Sequence, residues 1–173
     1  MDIYKGLGNA NKIMNCMLFD GFENFGLRIS EINGGSLRNA IPRESNATIV
    51  IDEIHQEVFE AEMEELATTI KTELKTLEPD LQIVVSACDT PEKMMDLGVQ
   101  EGLTRALYAA VNGVYRMSAD IPDLVETSNN IARVVVKDGN IKISCLTRSS
   151  VESSKIDLAN TLRSAFELTG CEV

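Results

Sequence analysis

The stretch Ala132 to Leu146, ARVVVKDGNIKISCL, constrains this chain more than any other. Two β-rich arms flank Asp138 and Gly139, and an Asp-Gly pair suits the positive φ that a two-residue hairpin turn needs at both central positions. An antiparallel strand pair is therefore expected whatever surrounds it. Alternation puts Ile141, Ile143, Cys145 and Thr147 on one face of the second arm, and Lys142, Ser144, Leu146 and Arg148 on the other. The more apolar face needs a cover.

Helical periodicity elsewhere supplies that cover. Ala10, Ile13, Met14 and Met17 predict a helix over residues 5 to 19. Phe59, Met63, Leu66, Ile70, Leu74 and Leu77 trace one face of a long helix that ends before Pro79. Thr90 as N-cap and Pro91 at the first helical position open a helical region running to about Met117, with interruptions at Gly98 and Gly102. Leu103, Ala106, Leu107, Ala110, Val111 and Val114 give it a buried stripe. Ile156, Ala159, Leu162 and Phe166 predict a last helix over about 153 to 169, closed by Gly170. Further strands are expected at Leu27 to Asn33, Ala47 to Asp52 and Leu81 to Ala87.

The order helix, strand, strand, helix, strand is thus expected twice, as pseudo-repeats of about 1–90 and 91–173, the second with no final strand placed after its last helix. GLGNANKIM from Gly6 resembles GLTRALYAA from Gly102, and ELATTIKTEL from Glu65 resembles DLANTLRSAFEL from Asp157. These similarities read as a degenerate internal duplication, the alternative being independent arrival at a common helical pattern. Either way the architecture predicted is α+β: two layers, with a mostly antiparallel sheet and helices packed on one face.

The 173 residues suit one domain or two small repeats sharing a core. A net charge of -11 with no clustered Lys or Arg argues against nucleic acid and against an anionic membrane surface. No apolar run is long enough to span a bilayer, and the N-terminus lacks a signal-peptide core, so the chain reads as soluble and cytoplasmic. Cys16, Cys88, Cys145 and Cys171 show no CxxC spacing and are expected as buried free thiols. His55 is the only histidine, which excludes a zinc site built mainly from imidazoles and leaves no Ser-His-Asp or Cys-His arrangement. The glutamates from Glu53 to Glu65 read as a solvated helix face.

Two places are candidates for chemistry. Gly34 to Pro42, GGSLRNAIP, holds more turn-type residues than a connection requires. It is either a decorated loop or a rigid extended base that presents the Asn39 amide. Arg148 falls at a strand end on the more polar face, where a guanidinium fork suits a carboxylate; the other reading is a surface arginine beside Ser149 and Ser150.

MDIYKGLGNANK, RISEINGGSLRNAIPRE, NGVYRMSADIPDLVETSNN and CLTRSSVES, in that order over nearly the whole chain, resemble the aminoacyl-histidine dipeptidases, a carnosinase-like branch of the dinuclear-zinc exopeptidases. The resemblance implies a lid and dimerisation domain, residues 1–173, whose catalytic zinc domain is absent from this sequence. It places two zinc ions, and a glutamate acting as general base toward a metal-activated water, in that missing domain; this chain itself holds no cofactor. The family's Gly-His-Ser-Gly segment would fall just before Met1. Asn39 matches a lid asparagine expected to act catalytically and in substrate binding, near the scissile carbonyl. Arg148 matches a lid arginine expected to bind the carboxylate of the C-terminal histidine. The expected partners are the catalytic domain of the same polypeptide, a dipeptide such as β-alanyl-histidine, and a second copy in a homodimer. The isolated chain is expected to be inactive. The competing reading is a free-standing α+β module for small-ligand binding or oligomerisation, supported by its complete-looking core and initiator-like Met1.

Overall fold

The computed structural model describes residues 3–173, so Met1 lies outside the described residues. The elements are α1 (Ala10–Phe25), β1 (Arg28–Gly34), β2 (Ser45–Val50), α2 (Gln56–Leu74), α3 (Leu97–Ala109), β3 (Gly113–Met117), β4 (Val125–Lys137), β5 (Asn140–Ser149) and α4 (Glu152–Glu167). Short 3-10 turns at Ile3–Lys5 and Glu53–His55 precede α1 and α2. Among the described residues the five strands form one antiparallel sheet, as the α+β reading expects.

β4 is the strand on which the others depend. β5 pairs along nearly its whole length, from Thr127↔Ser149 to Lys137↔Asn140. On its other edge β1 takes Val134 to Val136, and β3 takes the stretch from Val125 to Asn129. The hairpin turn forms as its sequence dictates, with Asp138 at φ 51° and Gly139 at φ 77°. Strands β2, β1, β4 and β5 lie in that order, and the helices pack in the parallel order α2, α1, α3, α4. The apolar face of the sheet, including Ile29, Ile32, Ile131, Val134 and Val136, meets Phe59, Met63, Leu103, Leu107, Leu158 and Leu162 from the helices in one core.

Several boundaries differ from those expected. α1 starts late because Asn9 caps it, its side chain accepting from Asn11 N and Lys12 N. It then runs past residue 19 to Phe25, and Gly21 within it lets Leu27 and Phe59 pack close to the helix. Gly26, at φ 64°, ends it with the Leu27 N–H returning to Gly21 O. Helix α3 begins well after Thr90 and Pro91, where Asp96 accepts from Gly98 N and Val99 N. Its expected tail is strand β3: Ala110 is already extended, and Gly113 turns the chain at φ 99°. The buried stripe of α4 runs through Ser154, Leu158, Leu162 and Phe166, leaving Ile156 and Ala159 exposed.

The expected strand at Leu81 to Ala87 is irregular backbone. Its alternating side chains do reach the core through Leu81 and Ile83. A groove of about 1030 Å3 flanked by this segment, β2, α1 and α2 accompanies the missing ladder, and without a paired edge alternation alone does not make a strand. No cysteine is fully buried: Cys88 is exposed and Cys16, Cys145 and Cys171 are intermediate, all as free thiols.

Replacing Gly139 by alanine forces a side chain into left-handed backbone and is expected to cost about 1–2 kcal/mol in urea unfolding. Asp138→Asn, which keeps the turn chemistry, should stay within about 0.5 kcal/mol of the parent.

Candidate functional site

The edge of β4 between its β1 and β3 partners has no strand beside it, and polar side chains fill the opening. Ile131 N–H donates to Asn112 Oδ1 at 2.9 Å, while Ile131 O accepts from Asn9 Nδ2 at 3.1 Å and Asn11 Nδ2 at 3.2 Å. Asn9 Nδ2 is also within reach of Asn112 Oδ1 and Asn130 Oδ1. Asn129 Nδ2 donates to Val111 O at 2.7 Å, and its Oδ1 accepts from Thr147. Amides suit this place because each carries a donor and an acceptor, which is what an interrupted strand edge leaves unmet.

The GGSLRNAIP loop is fastened over that opening. Asn130 Nδ2 donates to Ala40 O at 2.7 Å, and Arg133 Nη1 donates to the carbonyls of Gly34 and Gly35. Gly35 lies so close to Ala132 O that a Cβ would collide with it, and its φ of 74° suits glycine alone. Across the loop, Gly35 N–H donates to Glu44 O and Ala10 N–H to Pro42 O. Asn39 itself is exposed, in a turn closed by the Ala40 N–H bonding to Leu37 O at 3.2 Å.

Arg148 stands near the end of β5, exposed and in register with Ser128 of β4. Ser128 and Asn130 share one face of β4 by alternation, so Arg148 and the loop carrying Asn39 are referred to neighbouring positions on one strand. Sequence reasoning singled out both residues and the loop. It missed the supporting asparagines, although Asn129-Asn130 at the end of a polar run inside a β-rich segment was their visible mark.

A charged clasp holds the far end of the loop. The Arg43 guanidinium forks onto the Glu78 carboxylate, which also accepts from Gly8 N–H at 2.9 Å. Glu78 is 8% exposed and Arg43 59%. The Arg43 hydrogen bonds hold the Glu78 carboxyl below the usual carboxylate range; burial opposes them, and the Gly8 N–H and the Arg43 charge add to the lowering. On the α3 side, Lys12 Nζ donates to Leu107 O, Tyr108 O and Ala110 O at the end of the helix, where carbonyls lack intrahelical partners. Among the described residues no group of three or more His, Cys, Asp or Glu is arranged to hold a metal ion.

Residues 4–78 match the peptidase dimerisation domain family. The chain superposes over 99% of its length on the crystal structure of aminoacylhistidine dipeptidase from Vibrio alginolyticus, with a TM-score of 0.96 and 33% sequence identity. The fold is that of a dipeptidase dimerisation domain. The resemblance to the aminoacyl-histidine dipeptidases read from the sequence is thereby shown. The chain is also 34% identical over 171 residues, 99% of its length, to the cytosol non-specific dipeptidase of Escherichia coli (strain K12). It spans 35% of the length of each of these relatives. The family match, ending at Glu78, takes in α1, β1, β2 and α2. Among the described residues no helix is long and apolar enough to cross a membrane.

A depressed carboxyl pKa stabilises the fold above the unfolded value, ordinarily near 4.5, and that contribution is lost as pH falls through the folded value. Glu78→Gln should therefore flatten the fall of the thermal midpoint below about pH 5. An acid limb as steep as the parent's would remove the clasp from the account. Asn9→Ala, which loses both a helix cap and donors to β4, is expected to cost at least about 2 kcal/mol in urea unfolding.

Proposed function

We propose that this chain is the lid and dimerisation part of a zinc-dependent aminoacyl-histidine dipeptidase that hydrolyses Xaa-His dipeptides such as β-alanyl-histidine in the cytoplasm. The observation that carries the reading is the attachment of both candidate residues to one stretch of β4: Ala40, beside Asn39, is held by Asn130, and Arg148 pairs with Ser128. The agreement with dipeptidases over 99% of the chain supports it.

In this reading Asn39 donates its amide N–H to the scissile carbonyl as negative charge develops there, from a loop fastened before substrate arrives. Arg148 takes the carboxylate of the C-terminal histidine in a fork, selecting substrates with a free C-terminus. In this reading the metal and the general base belong to a catalytic domain of the same polypeptide outside residues 1–173. Assembly as a homodimer belongs to the same proposal. So does the division into pseudo-repeats of about 1–90 and 91–173, which is supported by the matching orders β2, β1, β4, β5 and α2, α1, α3, α4.

In the full-length enzyme, Arg148→Ala is expected to raise KM for β-alanyl-histidine by about 10- to 100-fold, the loss of a charged hydrogen-bonded contact. Asn39→Ala should lower kcat by about 100-fold or more. Steady-state kinetics with unchanged constants would remove either residue from the site. The chain of residues 1–173 alone should not turn over the dipeptide, with or without added zinc, and clear turnover would sink the lid assignment.

A further inference from the structure

A small cavity lies between α1, β1, the start of β2, α3 and β4. Its volume is about 10 Å3, and its walls include Leu18, Leu107 and Val134. Asn11, Asn15 and Ser45 supply its polar lining, and each contributes a buried oxygen with no hydrogen-bond partner: Asn11 Oδ1, Asn15 Oδ1 and Ser45 Oγ. The two amides are 4% and 2% exposed, so bulk solvent does not serve them.

Their orientation is fixed from the other end. Asn11 Nδ2 donates to Ile131 O at 3.2 Å and Asn15 Nδ2 donates to Thr104 O at 3.0 Å. Flipping either amide would set an oxygen against a carbonyl, so both Oδ1 atoms must keep their present direction. Buried acceptors are rarely left bare in a folded protein.

We propose that this cavity binds one structural water molecule, which donates to Asn11 Oδ1 and Asn15 Oδ1 and accepts from the Ser45 hydroxyl. The donors and acceptors balance: two hydrogens meet two carbonyl oxygens, and one lone pair meets the O–H. Three partners is the usual number for a buried water, and the volume is about that of a single one. A hard divalent cation is a poorer occupant, because such ions take six or more oxygens.

Gly34 is explained by the same site. Its φ is not among the positive values, yet a Cβ there would run into Asn11 Oδ1 and Ser45 Oγ. The first glycine of GGSLRNAIP therefore leaves room for polar atoms, whereas the second serves the backbone turn. Gly34 and Ser45 are paired residues at the base of the loop that carries Asn39. The water thus joins α1 to the root of that loop and acts as a positioning element.

A crystal structure of residues 1–173 at about 1.8 Å should show one solvent peak within about 2.6–3.2 Å of all three oxygens. A bare cavity, or a direct Ser45 to amide hydrogen bond in its place, would overturn the proposal. In solution the parent should show water-to-methyl NOEs at Leu107, and Asn15→Leu, which fills the cavity and deletes an acceptor, should abolish them. That variant should also exchange the Gly35 amide, bonded to Glu44 O, roughly 10-fold faster than its change in global stability alone would produce. Unchanged exchange in a folded Asn15→Leu chain that lacks the water would refute the positioning role. The peak in the parent decides the binding site even if the variant does not fold.

Discussion

An interrupted strand edge governs this molecule. β4 spends one side on β5 and divides the other between β1 and β3, leaving the peptide groups of Ile131 to find partners in the opening. A buried backbone group left unmet would cost about 1–3 kcal/mol, so the opening is tolerable only because Asn9, Asn11 and Asn112 close it. Asparagines along this edge do further service. Asn9 starts α1, and Asn130, one residue away on β4, holds the loop of the candidate site.

The two candidate residues have opposite kinds of support. Arg148 rides on a strand with a ladder beside it, so its backbone is set by regular pairing. Asn39 stands on an irregular loop and depends on separate fastenings from Asn130, Arg133, Ala10 and the clasp between Arg43 and Glu78. A site built this way divides precision between the sheet and a set of side chains that lie far from it in sequence.

Much of the fold was legible because it rests on local rules. The Asp138-Gly139 hairpin, the face of α2 and the two-layer packing follow from turn chemistry and periodicity. What escaped depends on distant neighbours. The first helix reads as ending near residue 19 although Gly21, packed against Leu27 and Phe59, lies inside it, and Leu81 to Ala87 reads as a strand until its lack of a ladder is seen. Asn39 and Arg148 were visible as residue types and through the family resemblance, but the asparagines behind them were not. Asn9, Asn11 and Asn130 act there through partners roughly a hundred residues away.

The joint between β1 and β4 also bears on how the chain finds this structure. Ile32 pairs with Val136, so the central seam of the sheet closes a loop of about a hundred residues, whereas the β4 and β5 arms meet across a two-residue turn. Chain entropy opposes the first contact far more than the second. The hairpin is thus set to organise early and the seam late. Until the seam closes, both the edge of β4 and the apolar face of β1 stand open to other chains, which makes folding, rather than the finished domain, the stage most exposed to aggregation.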